Sequence, residues 1–422
     1  MQARLTALAA SALLGCSGGL EGAPGDVGDV GVDDVVIGDS PVIGVETTPH
    51  LVPIDDVWGA CKPRSWKRGK TISGPYSPPP RNARTTQLTE LPDGRVLLGH
   101  AIQIWDPKKD TYETLPTPPP GRWYRLGSTV TLLADKKTVL LTGGDTDDGT
   151  WGSRAVDLFD LELKTWRVGA PMGAIRSQHQ AFLLSTGKVL VIGGLASGDV
   201  DPTPFVELYD PATGKWTESE TTVRAPAGNG FVSVVELTDH RLLVANGYGT
   251  VGFTSGALDQ IFDPLSETWR YIKGKPPGYS RQWTVRLDDG RVLGGGQGED
   301  KCLPGSAGSA ACMSAFDLAA ETWSLVGTVP LKMNNSPWTS IHAHALPCGS
   351  LALIGRTDWT EFHHLLFSPT RMRWYELPIG IAEFTEYGRM LKLSTGDVMA
   401  AYGDTETGGV SGRVFPLTLT ED

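Results

Sequence analysis

The stretch from Arg176 to Trp216 contains one complete copy of a unit that recurs along the chain. It runs through Arg176-Ser177-Gln178-His179-Gln180-Ala181, the turn Thr186-Gly187-Lys188-Val189, the apolar Leu190-Val191-Ile192-Gly193-Gly194, the segment Leu208-Tyr209-Asp210, and Trp216. Short apolar runs separated by glycine-containing and Asp-Pro turns predict β-strands rather than helices. The stretch therefore predicts a sheet of four antiparallel strands that are joined in sequence order.

Two markers of this unit recur about every fifty residues. The first is an Asp, or a Ser in its place, six residues before an aromatic: Asp106…Tyr112, Asp160…Trp166, Asp210…Trp216, Asp263…Trp269, Asp317…Trp323 and Ser368…Trp374. The second is a tight turn before an apolar run, which occurs seven times, at Asp93, Lys136, Thr186, Asp239, Asp289, Cys348 and Thr395. A repeat of this length predicts an array of similar sheets.

The seven turns exceed the six aromatic ends by one, and Trp66 can supply the missing end. The chain would then enter as the outer strand of the last sheet and finish with the three inner strands of that sheet. Such pairing of the two termini would close a ring of sheets and leave no open edge. A ring of six units is the alternative.

The composition agrees with an all-β chain and excludes several classes of protein. The 422 residues include 52 Gly and 30 Pro, an excess of turn formers that argues against helical bundles. The hydrophobic content of 40% and the 13 Trp are enough for a large core. The net charge is −11, but residues 17–57 carry nine acids and no Lys or Arg, so the remaining body is nearly neutral. A body without a basic face is not expected to bind nucleic acid.

The repeats resemble those of kelch proteins. The resemblance is carried by the double glycines Gly143-Gly144, Gly193-Gly194 and Gly295-Gly296, by the Arg-x-x-His-x-Ala segment from Arg176 to Ala181, and by the aromatic markers. It covers about residues 58–422 and implies a seven-bladed β-propeller of the galactose-oxidase-like type, built of four-stranded blades. The double glycine is replaced in four units, at Gly99-His100, Asn246-Gly247, Ile354-Gly355 and Tyr402-Gly403.

The N-terminal residues are interpreted as an export signal followed by a linker. Residues 1–16 hold Arg4, an apolar run from Leu5 to Leu14, and Cys16 in a Leu-Leu-Gly-Cys sequence that resembles a bacterial lipoprotein signal box. The resemblance implies a lipid on Cys16 and a protein of the cell envelope, at the outer membrane since Ser17 follows the cysteine. An ordinary cleaved signal is the alternative. Residues 17–57, rich in Gly and Asp, are expected to form a flexible acidic linker.

The other four cysteines are expected to form two disulfides in this oxidising compartment. Cys302 and Cys312 flank a Gly/Ser/Ala-rich insertion and would close it as a local loop. In a propeller, Cys61 and Cys348 would lie on the same face in adjacent blades, so we predict that they pair with each other. No CxxC pair is present, so these cysteines are not expected to bind a metal.

The loops that gather at one mouth of a propeller supply the candidate binding site. The predicted binding residues are Arg122, Trp123, Tyr124, Arg176, His179, Tyr279, Arg281, Trp283, Asn334, Trp338, Arg356 and Glu383. Arg and Asn beside Trp and Tyr suit a polar partner that has an apolar face, and Trp, Tyr and Arg often anchor interfaces. The alternative is that the loops are merely polar and solvated, with Arg176 and His179 making structural contacts within the repeat.

These observations favour a non-catalytic binding module: a monomeric propeller that needs no cofactor or metal and binds an envelope protein or a glycan. The alternative is a carbohydrate-active isomerase that resembles a sialic-acid mutarotase, in which Glu383 or Glu386 would move a proton beside Arg281 or Arg356. A copper oxidase would need two His, two Tyr and a Tyr–Cys link, but Cys302 and Cys312 are better explained as a pair and no Tyr-His pair occurs. A serine hydrolase would need a Gly-x-Ser-x-Gly elbow, which the sequence lacks. The run from Asp145 to Gly149 resembles half of a calcium loop but lacks the distal Glu.

Overall fold

The computed structural model describes part of the chain, and every regular element in that part is a β-strand. The described residues are 43–44, 66–68, 88–98, 103–109, 111–116, 127–146, 150, 152–196, 206–219, 233–245, 259–273, 283–297, 310–332, 340–346, 350–356, 362–368, 373–376, 389–394, 398–401 and 415–419. All of them belong to one compact unit, Asp34–Asp422. A separate unit, Met1–Asp33, falls outside them together with the signal and lipidation predictions for Cys16. Within the described ranges, no helix has the length and apolarity needed to cross a membrane.

In the described ranges, 29 strands form seven antiparallel sheets, numbered in chain order. The chain begins with β1 (Ile43–Gly44) and β2 (Trp66–Arg68). Sheet 1 holds β3 (Leu88–Glu90), β4 (Val96–Leu98), β5 (Gln103–Asp106) and β6 (Thr111–Thr114). Sheet 2 holds β7 (Thr129–Leu132), β8 (Thr138–Thr142), β9 (Val156–Asp160) and β10 (Thr165–Val168). Sheet 3 holds β11 (Gln180–Leu183), β12 (Val189–Ile192), β13 (Val206–Asp210) and β14 (Lys215–Glu218).

Sheets 4 to 7 repeat this arrangement. Sheet 4 holds β15 (Ser233–Glu236), β16 (Leu242–Ala245), β17 (Gln260–Asp263) and β18 (Thr268–Tyr271). Sheet 5 holds β19 (Trp283–Arg286), β20 (Val292–Gln297), β21 (Ala310–Asp317) and β22 (Thr322–Lys332). Sheet 6 holds β23 (Ser340–Ala345), β24 (Leu351–Arg356), β25 (Phe362–Ser368) and β26 (Arg373–Glu376), and β1 pairs with its outer strand β26. Sheet 7 holds β27 (Arg389–Lys392), β28 (Val398–Ala401) and β29 (Phe415–Leu419), with β2 paired outside β29.

The predicted fold class, all-β with four-stranded antiparallel sheets, is confirmed. Five apolar clusters fill the spaces between consecutive sheets, from sheets 1 and 2 to sheets 5 and 6. Leu140 of sheet 2 packs with Val189 of sheet 3, for example, and both are completely buried. The stability of each sheet therefore depends on its neighbours, because the hydrophobic surface of a sheet is buried only by the next one.

The Asp-to-aromatic marker has a local structural cause. The Asp160 carboxylate accepts hydrogen bonds from the backbone N–H groups of Glu162 and Leu163, at 2.9 and 2.8 Å, and so shapes the turn between β9 and β10. Trp166 then lies opposite Phe159, with ring centroids 4.8 Å apart. Equivalent aromatic pairs occur in sheets 3 to 6, at distances of 4.7–5.1 Å. The six-residue spacing thus places one such turn and one cross-strand aromatic contact in each of sheets 2 to 5, and the aromatic contact in sheet 6 as well.

The outer-strand indoles also join consecutive sheets. The Nε1–H group of Trp166 donates to Pro116 O, 2.7 Å away, and that of Trp216 donates to Ala170 O at 2.9 Å. In the next three sheets the corresponding tryptophans donate to a strand of the preceding sheet or to a residue next to one of its strands: Trp269 to Ser219 Oγ, Trp323 to Asp259 Oδ2 and Trp374 to Thr328 O. Each bond satisfies the polar atom of a side chain that is otherwise packed among apolar groups.

The connections between strands differ strongly in length at the two ends of the sheets. Each first-to-second connection has five residues, such as 184–188, and each third-to-fourth connection has four, such as 211–214. Because the strands are antiparallel, these short connections share one end of the sheets, called the turn end below. The second-to-third and sheet-to-sheet connections meet at the opposite loop end, and most have 11 residues or more, such as 115–128 and 143–155.

Candidate functional site

The loop end is described most fully between sheets 2 and 3, where the segment from Arg176 to His179 joins the two sheets. Arg176 forms an isolated antiparallel bridge with Ser153 of the connection 143–155, and Ser177 forms one with Leu195. The carbonyl of Arg176 also accepts a hydrogen bond from Gly144 N at 2.8 Å. The segment is therefore bonded to the loops of the sheet before it and of its own sheet.

Glycine is required in the double glycines of sheets 2 and 3 because atoms of the segment from Arg176 to His179 lie where a side chain would be. A Cβ atom on Gly143 would lie 2.6 Å from the carbonyl oxygen of Arg176 and from Cε1 of His179. A Cβ atom on Gly194 would lie 2.7 Å from the carbonyl oxygen of Ser177. Both glycines also have positive φ, at +58° and +89°. The glycine pairs of sheets 2 and 3 thus form one seat for the segment from Arg176 to His179.

The side chain of Arg176 is completely buried and forms an ion pair with Glu207 of β13. Its Nη2 lies 2.9 Å from Glu207 Oε2, and its Nη1 donates to the carbonyl of Gly193 at 2.7 Å. Burial lowers the pKa of Arg176, and the charge of Glu207 and its hydrogen bonds oppose that shift. Glu207 also accepts hydrogen bonds from the N–H groups of Gly173 and Ala174. The pair therefore fixes the 169–179 connection onto sheet 3.

His179 is held inside the same junction. Its Nε2 lies 3.0 Å from Thr129 Oγ1 and 2.9 Å from Thr142 Oγ1, and the two hydroxyls are 2.6 Å apart. The exposed fraction of His179 is 5%. Arg176 and His179 were predicted as ligand-binding residues, with structural contacts as the alternative. The structure places both inside the protein and shows structural contacts.

Two further predicted binding residues lie in strands rather than in loops. Trp283 is the first residue of β19, is 2% exposed, and belongs to the core between sheets 5 and 6. Its ring covers Gly295 so closely that a Cβ atom there would lie 2.2 Å from it. The prediction that Trp283 is a loop residue is therefore wrong, and the glycine opposite it explains why the indole turns inward. Arg356 is the last residue of β24, at the loop end.

The remaining predicted binding residues lie outside the described ranges and stay predictions. In the sequence they fall within four loop-end connections: Arg122, Trp123 and Tyr124 in 115–128, Tyr279 and Arg281 in 272–282, Asn334 and Trp338 in 333–339, and Glu383 in 377–388. The strands that flank these four connections all meet them at the loop end of the sheets.

Only part of the cysteine prediction falls on described residues. Cys312 lies in β21, is 4% exposed and is disulfide-bonded. Cys302, Cys61 and Cys348 lie outside the described ranges, so the pairings Cys302–Cys312 and Cys61–Cys348 stay predictions. Among the described residues, no three His, Cys, Asp or Glu side chains come together as a metal ion would require.

A buried polar position in the third strands was missed from the sequence. It lies three residues before the marker Asp and is occupied by Asp157, Glu207, Gln260 and Ser314 in sheets 2 to 5, each no more than 3% exposed. The signal was present in three of the four sheets, where Asp157, Glu207 and Ser314 interrupt apolar strands, whereas Gln260 begins its strand. The role of such a buried polar residue depends on a partner far away in the sequence, as Glu207 depends on Arg176.

The comparisons with known proteins agree with these features. No protein-family model matches the chain. An F-box/kelch-repeat protein of Arabidopsis thaliana is 29% identical over 143 residues, which make up 33% of this chain and 34% of that protein. The kelch-like protein terF of Aspergillus terreus is 24% identical over 163 residues, or 37% of this chain and 34% of that protein. A kelch repeat-containing protein of Caenorhabditis elegans is 24% identical over 124 residues, or 29% of this chain and 20% of that protein.

The matched regions span about a third or less of the length of these relatives. A solved structure of a fungal alcohol oxidase in complex with copper has a TM-score of 0.56 and 14% identity, and covers 83% of this chain and 76% of that chain. Likeness at this identity shows the fold alone. Together the comparisons support a kelch-type β-propeller whose fold is like that of the fungal alcohol oxidase.

Proposed function

We propose that this chain is a seven-bladed kelch propeller of the cell envelope that binds a protein or glycan partner through its loop end. The observation that carries the proposal is the difference in length between the two ends of the sheets. Connections of four and five residues leave little material for recognition at the turn end. Binding residues are found most often in long loops that a rigid scaffold holds in place.

The seven-bladed ring is supported by contacts around the seam of the chain. β2 pairs with β29, so sheet 7 contains strands from both ends of the described chain. Glu90 of sheet 1 accepts hydrogen bonds from the backbone N and the Oγ of Ser394, which follows β27 of sheet 7. Strand β27 also lies beside β3 and β23. Seven sheets with sheet 7 beside both sheet 6 and sheet 1 favour seven blades over six.

The proposed binding residues are the predicted ones that fall within the long connections at the loop end. Trp123 and Trp338 are the strongest candidates, because a large aromatic side chain anchors an interface at low entropic cost. Trp283, Arg176 and His179 do not belong to this group, since their side chains are buried.

The test is partner capture by the whole chain carrying Trp123→Ala and Trp338→Ala. Crosslinked capture from envelope extracts and a glycan array serve as the two readouts. We expect the double variant to lose at least tenfold in affinity for any partner bound by the native chain, with an unchanged Tm. The matched control carries Leu163→Ser and Leu265→Ser at the turn end, where these leucines are 72% and 83% exposed.

The outcome decides between the two ends. Capture that survives in the tryptophan variant and is lost in the leucine variant would assign binding to the turn end and refute the proposal. Capture lost in neither variant would also refute the assigned residues. Binding on the glycan array alone would identify the partner class as carbohydrate.

Anchoring at the envelope is proposed through a lipid on Cys16. Several acyl chains, at about 0.8 kcal/mol per buried CH₂, would hold the protein to a membrane without a spanning helix. Expressed in bacteria with an alkyne fatty acid, the native chain is expected to become labelled and to sediment with membranes. The variant Cys16→Ser should lose both properties, while the control Ser17→Ala should keep them. Equal labelling of the native chain and the Cys16→Ser variant would contradict lipidation at this residue.

A further inference from the structure

Gln178 has an unusual backbone conformation for its place in the fold. Among the described residues, six residues other than glycine have a positive φ. Five of them lie in hairpin connections at the turn end: Lys136, Lys164, His240, Glu267 and Glu321. Gln178, with φ of +59°, lies instead at the loop end, in the sheet-to-sheet connection 169–179. A residue with a Cβ atom is strained in this conformation. Hairpin geometry explains the strain at the five turn residues but not at Gln178.

The contacts around Gln178 hold it in this conformation. Ser177 forms a bridge with Leu195, and Nε2 of His179 contacts two threonine hydroxyls of sheet 2. The N–H group of Gln178 itself donates to the carbonyl of Gly127 at 2.7 Å. Ser177 and His179 are 2% and 5% exposed, whereas Gln178 is only half-buried. The connection therefore fixes the backbone of Gln178 and leaves its side chain partly accessible at the loop end.

Glycine would satisfy this backbone conformation, as sheet 2 demonstrates. Gly127 is the equivalent residue there, since it precedes β7 by two residues as Gln178 precedes β11, and its φ is +70°. No side chain fits at Gly127, because a Cβ atom would lie 2.3 Å from Ser177 Oγ. The side chain of Gln178 is accommodated at a cost in backbone energy that glycine would avoid. Strained residues that their surroundings hold in place cluster at functional sites.

The chemistry of the accessible groups in this connection suits a protein partner. A primary amide carries a donor and an acceptor, as a peptide group does, so the two can exchange a pair of hydrogen bonds. Ile175, three residues before Gln178, is 40% exposed, and Val168, just before the connection begins, is 57% exposed. An extended protein segment offers both peptide groups and apolar side chains to such a surface.

We propose that Gln178 determines specificity at the loop end, and that its side-chain amide pairs with a peptide group of a protein partner. Ile175 supplies an apolar contact to the same partner segment. The inference rests on the proposed binding through the loop end, and it narrows the partner class from protein or glycan to protein.

Replacement of the glutamine by glycine in the full chain tests this role, with the crosslinked envelope protein and the glycan array as probes. We expect Gln178→Gly to lower the affinity for the crosslinked protein at least tenfold and to keep or raise the urea midpoint of unfolding. Gln178→Asn retains an amide and tolerates positive φ, so it should lose less affinity than Gln178→Gly. The matched control is Lys136→Gly, which relieves the same strain at the turn end and should leave the affinity within twofold of the native value.

Several results would overturn the proposal. Native affinity in Gln178→Gly would show that the side chain does not contact the partner. A lower urea midpoint in Gln178→Gly, with a raised one in Lys136→Gly, would show that the glutamine serves the fold. Loss of binding on the glycan array alone would assign the contact to a sugar. Capture that is lost in the Trp123 and Trp338 variant but native in Gln178→Gly would refute this inference alone, whereas no capture by the native chain would refute the proposed function as well.

Discussion

At the scale of the residue, the first hairpin turn of each of sheets 1 to 5 bends at one position with positive φ. Gly94, Gly187 and Gly290 occupy it at +84°, +83° and +89°, and each donates its N–H to the leucine three residues before. Lys136 and His240 occupy the same position at +60° and +67°. A side chain with a Cβ atom is strained there by about 1–2 kcal/mol.

We therefore expect His240→Gly to stabilise the protein. Relief of the strain outweighs the greater freedom of glycine in the unfolded chain, about 0.4–1 kcal/mol, and the loss of an exposed contact between His240 and Glu236. The gain should be about 0.5–1 kcal/mol in urea unfolding. Gly94→Ala is the converse experiment, because a Cβ atom at Gly94 would meet nothing within 4 Å and only φ changes the energy. A destabilising His240→Gly with a neutral Gly94→Ala would refute the strain argument.

The buried ion pair gives a second prediction at this scale. Glu207→Gln keeps the shape of the side chain but removes the carboxylate charge in direct contact with the buried guanidinium of Arg176. Removal of one partner from such a pair costs about 3–5 kcal/mol. The control is Glu162→Gln, at an exposed carboxylate in the turn of sheet 2, which should change stability by less than about 0.5 kcal/mol. Equal effects of the two substitutions in chemical unfolding would show that the pair contributes nothing.

At the scale of the element, ion pairs join neighbouring sheets at the turn end. Glu113 of β6 pairs with Lys164 in the next sheet at 2.7 Å and with Arg95 in its own sheet at 2.8 Å. Glu321, in the turn after β21, contacts Arg270 of sheet 4 and also Arg241, 3.1 Å away. Hydrogen bonding to Arg270, and secondarily to Arg241, holds the pKa of Glu321 below its ordinary value.

A carboxylate with a lowered pKa stabilises the folded state above its unfolded-state pKa and loses that contribution as pH falls through its folded-state pKa. We expect Glu321→Gln to cost about 1–2 kcal/mol at pH 7, less than for a fully buried pair because Arg270 is partly exposed. The difference from the native chain should shrink as pH falls below about 4.5 in urea unfolding. Glu162→Gln, at an exposed carboxylate 3.8 Å from Lys137, is the control. A penalty for Glu321→Gln that is as large at pH 3 as at pH 7 would contradict an ionic origin.

Elements could be predicted from the sequence where their causes are local. The stretch from Phe159 to Trp166 encodes a turn and a cross-strand pair within eight residues, so the repetition of its marker indicates the strands directly. Partners far apart in sequence could not be predicted: Arg176 finds Glu207 31 residues later. Trp283 was assigned to a loop because nothing near it in sequence reveals that Gly295 makes room for its ring. The same limit explains why Ile43–Gly44 was not recognised as a strand.

At the scale of the whole molecule, sheet 7 determines whether the described sheets form a closed ring. It is assembled from β2 and from the last three strands, β27 to β29. Its stability therefore depends on the pairing of β2 with β29 and on contacts with sheet 1. Glu90 makes one such contact through the backbone N and the hydroxyl of Ser394, at 2.7–3.0 Å. Lys392 adds an ion pair to Asp288 of sheet 5.

In a closed ring, loss of the contact between sheets 1 and 7 weakens every sheet together, because opening at one point exposes two apolar faces. We expect Glu90→Gln to lower the free energy of unfolding by about 1 kcal/mol, since the contact is partly exposed. The transition should stay single, with the native m-value, when followed by tryptophan fluorescence and by circular dichroism. In an open array, sheet 7 would instead unfold first, and the two probes would separate with a lower m-value. That separation in Glu90→Gln, but not in Glu162→Gln, would refute closure through sheet 7.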